Sequence, residues 1–280
     1  VQTCALPIWV TRWPLPSERS STDTRKGLCM RQRFILCAAL ATGLAATSAS
    51  AVNFQKTGDD GWIEQWLSME VVMQNGGFAA SGGIDFLSEG TGGDVTHESV
   101  STVKGLADIT RQPIELDKKY AGEGMGEDGV WDWEVKAIDT NDGNNMATSW
   151  GLGAASDNIE WHGIIVMKSS KSRVATMHPT HDDYAQIWIN GEQVYDNDQW
   201  TGGVRIVTTP TEVNFVQGDN VLLYKCGESG GSAYVNLRFE NSESDMDILP
   251  TEEGEFWNYT SLAVQARDKA ATTWADIKTR

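Results

Sequence analysis

The chain has 280 residues, with 39 acidic residues against 22 basic ones, a formal net charge of −17 and only four cysteines. So acidic a surface repels nucleic acid and anionic membranes, which excludes both as expected partners. The length suits one large β domain or one domain with a long elaboration, and no repeat of roughly 34 or 40 residues is visible.

Val1–Cys29 has no hydrophobic periodicity, and its opening VQTCALPI looks like adapter sequence, so residues 1–29 read as an assembly or gene-start artefact. From Met30, Arg31 and Arg33 form a basic region, Phe34–Ala46 an apolar run and Ala49-Ser50-Ala51 a cleavage site. Residues 30–51 are therefore expected to be a signal peptide, and the product extracellular or periplasmic. The apolar run is short for a bilayer span, so no membrane insertion is expected after cleavage. Phe34-Ile35-Leu36 lack the small residue expected ahead of a lipoprotein cysteine at Cys37. The mature chain from Val52 has 229 residues with 16 basic and 37 acidic side chains, net −21, and Cys226 as the one cysteine. An internal disulfide is thereby excluded, and the place of Cys226 in VLLYKC marks a buried thiol.

After a polar entry, Trp62–Gln74 fits helical spacing through Trp62, Trp66, Met69 and Met73, and a strand through LSMEVVM; the strand is preferred. Asn75–Gly93 is Gly/Ser-rich and reads as a long loop with Phe86 and Leu87 as anchor, and DVTHESVSTV within 94–110 as a short strand pair. Val130–Ile138 alternates, with Trp131, Trp133, Val135 and Ala137 on one face. Glu160–Lys168 and Ser172–His178 read as buried strands. Next come Ala185, Ile187 and Ile189 opposite Gln186, Trp188 and Asn190, then Asn190-Gly191 and a return strand over Glu192–Tyr195. Asn-Gly between two such runs is a strong hairpin signal, because both residues tolerate positive φ. Further strands are expected at 204–209, 213–216, 220–225 and 233–239, separated by turn residues. Many short strands with regular turns predict an all-β fold, a β-sandwich or jelly roll. The sandwich is expected over 52–245, and 246–280 as an acidic linker with a C-terminal tail that carries a short helix near Thr260–Arg280.

The acidic pair Asp182-Asp183, followed by Ile187-Trp188-Ile189-Asn190-Gly191, then Gly218-Asp219-Asn220 before VLLYKC and the run SAYVNLRFE, resembles PA14-like domains and related galactose-binding-like jelly rolls. The resemblance covers roughly 161–241. It implies that Asp182 and Asp183 bind Ca²⁺, that the ion takes sugar hydroxyls, and that their peptide bond is cis. A hard cation suits paired carboxylates, and Asn197 and Asp198 are the candidates to complete its shell. The alternative for the pair is a turn cap through local hydrogen bonds. Trp150, Trp188 and Trp200 are the candidates for stacking on sugar rings, with Asn190 beside them, and the alternative is that they fill the core. His178-Pro-Thr-His181 beside Asp182 has metal-ligand residue types but no helix to align them, and reads as surface histidines. No nucleophile elbow, P-loop or dinucleotide motif occurs. The expectation is a secreted, non-catalytic carbohydrate-binding module, Ca²⁺-assisted, with a carbohydrate or glycoconjugate as partner. A cell-surface structural or adhesion protein that contacts other proteins, and a glycan-active hydrolase or lyase, are the alternatives.

Overall fold

The computed structural model describes residues 55, 61–73, 82–109, 113–122, 124–153, 157–197, 207–208, 210–240 and 245–252. The signal peptide expected over 30–51, the site candidates Asp198 and Trp200, and the C-terminal helix expected near 260–280 lie outside them. No described helix is long and apolar enough to cross a membrane.

Thirteen strands are described: β1 (Gln65–Met73), β2 (Ile114–Glu115), β3 (Val130–Trp131), β4 (Trp133–Ala137), β5 (Ile159–Ser169), β6 (Arg173–Asp182), β7 (Tyr184–Ile189), β8 (Glu192–Asn197), β9 (Val207–Thr208), β10 (Thr211–Phe215), β11 (Gly218–Glu228), β12 (Tyr234–Phe239) and β13 (Asp247–Leu249). A seven-stranded antiparallel sheet runs β4-β1-β5-β11-β7-β8, with β13 also on β5, and a four-stranded sheet runs β10-β6-β12, with β9 on β6. The two sheets form a β-sandwich, the fold class expected. Residues 62–150 belong to it through β1 and β4. β13 corrects the expected end of the sandwich at 245, because Asp247, Ile248 and Leu249 pair with Lys168, Met167 and Val166. The acidic composition around them disguised three residues that complete an edge.

Between the sheets lies one apolar core, with Ile165, Met167, Ala185, Ile187, Ile189, Leu222, Tyr224 and Cys226 facing Ala175, Met177, Val213, Phe215, Val235, Leu237 and Phe239. Trp66, Trp161 and Tyr224 meet edge to face within it, at ring separations of 5.5–6.4 Å. Gly163 on β5 is needed for that packing, since a Cβ there would lie 2.0 Å from the Trp161 ring.

The other face of the large sheet is also buried. A second apolar cluster joins Leu67, Met69, Ile164, Val166, Trp188, Val221 and Leu223 to Phe86, Leu87, Val95, Val100, Leu106 and Trp131. The covering residues come from three short helices, α1 (Phe86–Gly90), α2 (His97–Val100) and α3 (Val103–Ile109), and from the β2–β3 ribbon. A sheet covered on both faces needs near-continuous apolar strands, and β5 and β11 supply them. The helices correct the expected loop over 75–93 and strand pair over 94–110. Asp85 caps α1 by accepting from the Ser88 N–H, and Thr96 and Ser99 form a reciprocal capping box at α2. Such caps satisfy the free N–H groups of a helix start. α4 (Asn145–Thr148) places the Asn145 side chain against β12, where it donates to Val235 O and accepts from Val235 N as a strand would.

Candidate functional site

β6 belongs to the small sheet and β7 to the large one, so the chain changes sheets between them, at Asp182 and Asp183. That peptide bond is cis, as the resemblance implied. A second crossing lies beside it. Tyr184 pairs with Gly227 at the end of β11, and Asp182 pairs with Tyr234 at the start of β12, so the Ser229–Ala233 turn runs alongside the aspartates. The Asp183 N–H donates to Gly227 O, and Asp183 Oδ2 accepts from the Ser229 N–H at 3.0 Å and its hydroxyl at 2.8 Å. Asp157 holds the same turn by accepting from the Gly231 N–H at 3.2 Å.

Glu228 completes the corner. It is fully buried, and neither of its carboxylate oxygens accepts a hydrogen bond of normal geometry. Burial, then the charges of Asp157, Asp183 and Asp182, push its carboxyl up to about 8. Asp182 and Asp183 are themselves only 4% and 2% exposed. Sequence reading missed Glu228, Ser229 and Asp157, which reach the aspartates only through strand pairing.

Behind the pair, His181 Nδ1 lies 2.8 Å from Asp183 O, its Nε2 lies 2.8 Å from Tyr195 Oη, and Asn197 donates to the same hydroxyl at 3.2 Å. This chain is consistent when Nδ1 carries the imidazole proton and the tyrosine hydroxyl donates to Nε2. Burial lowers the His181 imidazole to about 4 against the opposing pull of Asp183. His178 stands on the other face of β6, where Nε2 is 2.9 Å from Glu240, so the two histidines cannot share a metal. Among the described residues no three His, Cys, Asp or Glu side chains converge to hold a metal ion.

Asn197 pairs with Ala185 and so sits at the aspartate end of the hairpin. Asn190 occupies the opposite end of β7, roughly 23 Å away along the strand. The Asn190-Gly191 turn has φ of 53° and 87°, the predicted hairpin geometry. The Asn190 side chain donates to Asn220 at 2.8 Å and accepts from the Val221 N–H at 3.1 Å, which ties the turn to β11. Alternation puts Trp188 on the polar face of its strand. It is nevertheless 4% exposed, and its ring packs at 4.6 Å on His97, because α2 covers that face. Trp150 is 7% exposed; its indole N–H donates to Ser68 and Lys136 Nζ lies 4.1 Å above its ring. Neither ring offers an open face for stacking. Cys226 is a buried free thiol, as expected.

No protein-family model matches the chain, and no curated protein matches it. Among solved structures, it is similar to a PA14 sugar-binding domain from an RTX adhesin at 12% identity and TM-score 0.34, over 67% of this chain and 96% of that one. It is similar to a family 35 carbohydrate-binding module from an environmental isolate at 14% identity and TM-score 0.25, over 41% and 87%. An anti-sigma factor domain-containing protein matches at 15% identity and TM-score 0.33, and the chain spans 41% of its length. The first two are of the kinds of domain named from the hairpin.

Proposed function

We propose that this chain is a secreted, non-catalytic carbohydrate-binding module whose site is the corner at Asp182 and Asp183, completed by Ca²⁺. The observation that carries the reading is Glu228: a buried carboxyl whose oxygens accept no hydrogen bond of normal geometry, set among Asp157, Asp182 and Asp183 and pushed up to about 8. Like charges buried together are costly, and a hard divalent cation offsets that cost. Ca²⁺ takes about six to eight oxygens, so two aspartates leave positions for main-chain carbonyls, water and the paired hydroxyls of a sugar. Within the protein, Ser229 orients the Asp183 carboxylate and the His181–Tyr195–Asn197 chain braces its main chain. Asp198 and Trp200, which follow Asn197 in sequence and lie outside the described residues, remain candidates for metal and sugar contact.

Thermal melting with and without Ca²⁺, alongside glycan-array binding with and without EDTA, tests this reading. A ligand bound only by the native state raises the midpoint. The expected result is a Ca²⁺-dependent rise that Asp182→Ala and Asp183→Ala abolish, with glycan binding lost in EDTA. Equal responses in both variants and wild type would overturn the metal assignment. Polymer formation without glycan binding would favour a surface assembly protein, and sugar release from polysaccharide an enzyme.

A further inference from the structure

A second set of ionisable groups is buried where residues 82–106 cover the large sheet. Glu160 and His162 on β5 are fully buried, Lys225 on β11 is 1% exposed and His97 on α2 is 4% exposed. Lys225 Nζ donates to Ile84 O at 2.7 Å and Gly82 O at 3.3 Å, and lies 3.6 Å from Glu160 Oε1. The Tyr184 hydroxyl donates to Glu160 Oε2, and His162 Nε2 is 3.2 Å from Glu160 Oε1. The His97 and His162 rings face each other at 5.6 Å. Asp85 Oδ2 accepts from the His97 N–H at 2.8 Å and lies 3.4 Å from its Nδ1.

Among the described residues, the charged groups around the two imidazoles are thus Asp85 ahead of α1, Glu160 on β5 and Lys225 on β11; Tyr184 on β7 contributes its hydroxyl and Glu98 on α2 is exposed to solvent. Lys225 already balances one of the two carboxylates; Glu160 is fully buried and the Asp85 side chain is 26% exposed. A first proton on either histidine is matched by the other carboxylate, and a second is matched by no further carboxylate contact among the described residues. His97 belongs to the covering layer and His162 to the sheet, so separating the two returns both rings to water.

We propose that residues 82–106 form a pH-operated latch, docked on the large sheet while His97 and His162 are both neutral and released when acidification places a proton on each. Both imidazoles lie well below their usual range, through burial first and the neighbouring Lys225 second. Release therefore takes up protons below about pH 6.5, and each histidine contributes up to about tenfold in the opening equilibrium per pH unit. The layer can open separately because its apolar contacts form their own cluster, apart from the core between the sheets.

Hydrogen exchange, corrected for the intrinsic rate at each pH, tests the latch on the full chain. The Val100 and Leu106 amides, which donate to Thr96 and Thr102 carbonyls, report on the layer, and the β11 amides report on the sandwich. Protection at Val100 and Leu106 is expected to fall by up to about a hundredfold per pH unit between pH 6 and 5 while β11 keeps its protection. His97→Phe, which retains a ring against Trp188, should reduce that slope to about tenfold. A parallel loss in both regions, or an unchanged slope in His97→Phe, would overturn the proposal. So would imidazole NMR signals of wild type that titrate near pH 6.5 with the layer still protected, a readout that needs no variant.

Discussion

The corner at Asp182 and Asp183 and the cluster beneath residues 82–106 are both buried and both ionisable, yet they have opposite charge composition. The corner gathers the buried Asp182, Asp183 and Glu228 beside the exposed Asp157, and burial first and these charges second raise the carboxyl of Glu228. The cluster mixes Asp85 and Glu160 with Lys225 and two neutral histidines, and the lysine ties the layer to the sheet through two main-chain carbonyls. On the proposed function, the set of one sign is where an external cation would stabilise; in the mixed set, removal of the internal cation of Lys225 should destabilise.

The largest expected effect therefore comes from Lys225→Met. It leaves Glu160 buried without its ammonium partner, which costs about 3–5 kcal/mol. Urea unfolding measures this, and a loss below about 1 kcal/mol would show that the buried pair is not what holds the layer. Asp183→Asn should behave in the opposite way. The asparagine oxygen can still accept from Ser229, so metal-free stability should move by about 1 kcal/mol or less. At a Ca²⁺ concentration about a hundredfold above Kd, wild type should gain about 2.7 kcal/mol and the variant none. Asn190→Ala removes two hydrogen bonds and the residue best suited to φ of 53°, for about 1–2 kcal/mol. Its Ca²⁺ response should equal that of wild type, since the turn lies at the far end of β7; a lost response would return Asn190 to the site.

The contrast also explains what the sequence made legible. Hairpin geometry, the two-sided alternation of β7 and the shared face of Trp131 and Trp133 are local properties, and they read correctly. Alternation separates two faces of a strand but does not say that both are covered, so it leaves Trp188 a stacking candidate with the core as the alternative, and the core is where it lies. The Thr96–Ser99 capping box was present in THES, yet the four-residue helix it starts is too short to show a 3.6-residue period. Asp182 and Asp183 are visible as a pair because they are adjacent. Glu228 carries no local signal at the end of an apolar run; only the pairing of β11 with β5 and β7 brings it to the corner.

The smallest effect tests Glu228 itself, in EDTA so that no cation intervenes. Its folded carboxyl at about 8 stands above the ordinary value near 4.5. In that window the native state holds a proton that the unfolded chain releases, so this group stabilises the fold most below pH 4.5 and loses its contribution as pH rises towards 8. The slope has a ceiling of about 1.4 kcal/mol per pH unit, and solvent at the edge of the sandwich reduces it. His181, lowered to about 4, acts in the reverse sense: its contribution is present above about pH 6.5 and falls away towards pH 4. Glu228→Gln should therefore flatten the loss of stability between pH 6.5 and 8 and steepen the acid limb between about pH 4.5 and 6.5, where the opposing slope of His181 is no longer offset. Ca²⁺ should flatten the same limb in wild type, because a cation beside Glu228 favours the ionised form that burial disfavours. A wild-type alkaline limb that neither Ca²⁺ nor the substitution alters would mean that the corner carboxylates do not interact as one set.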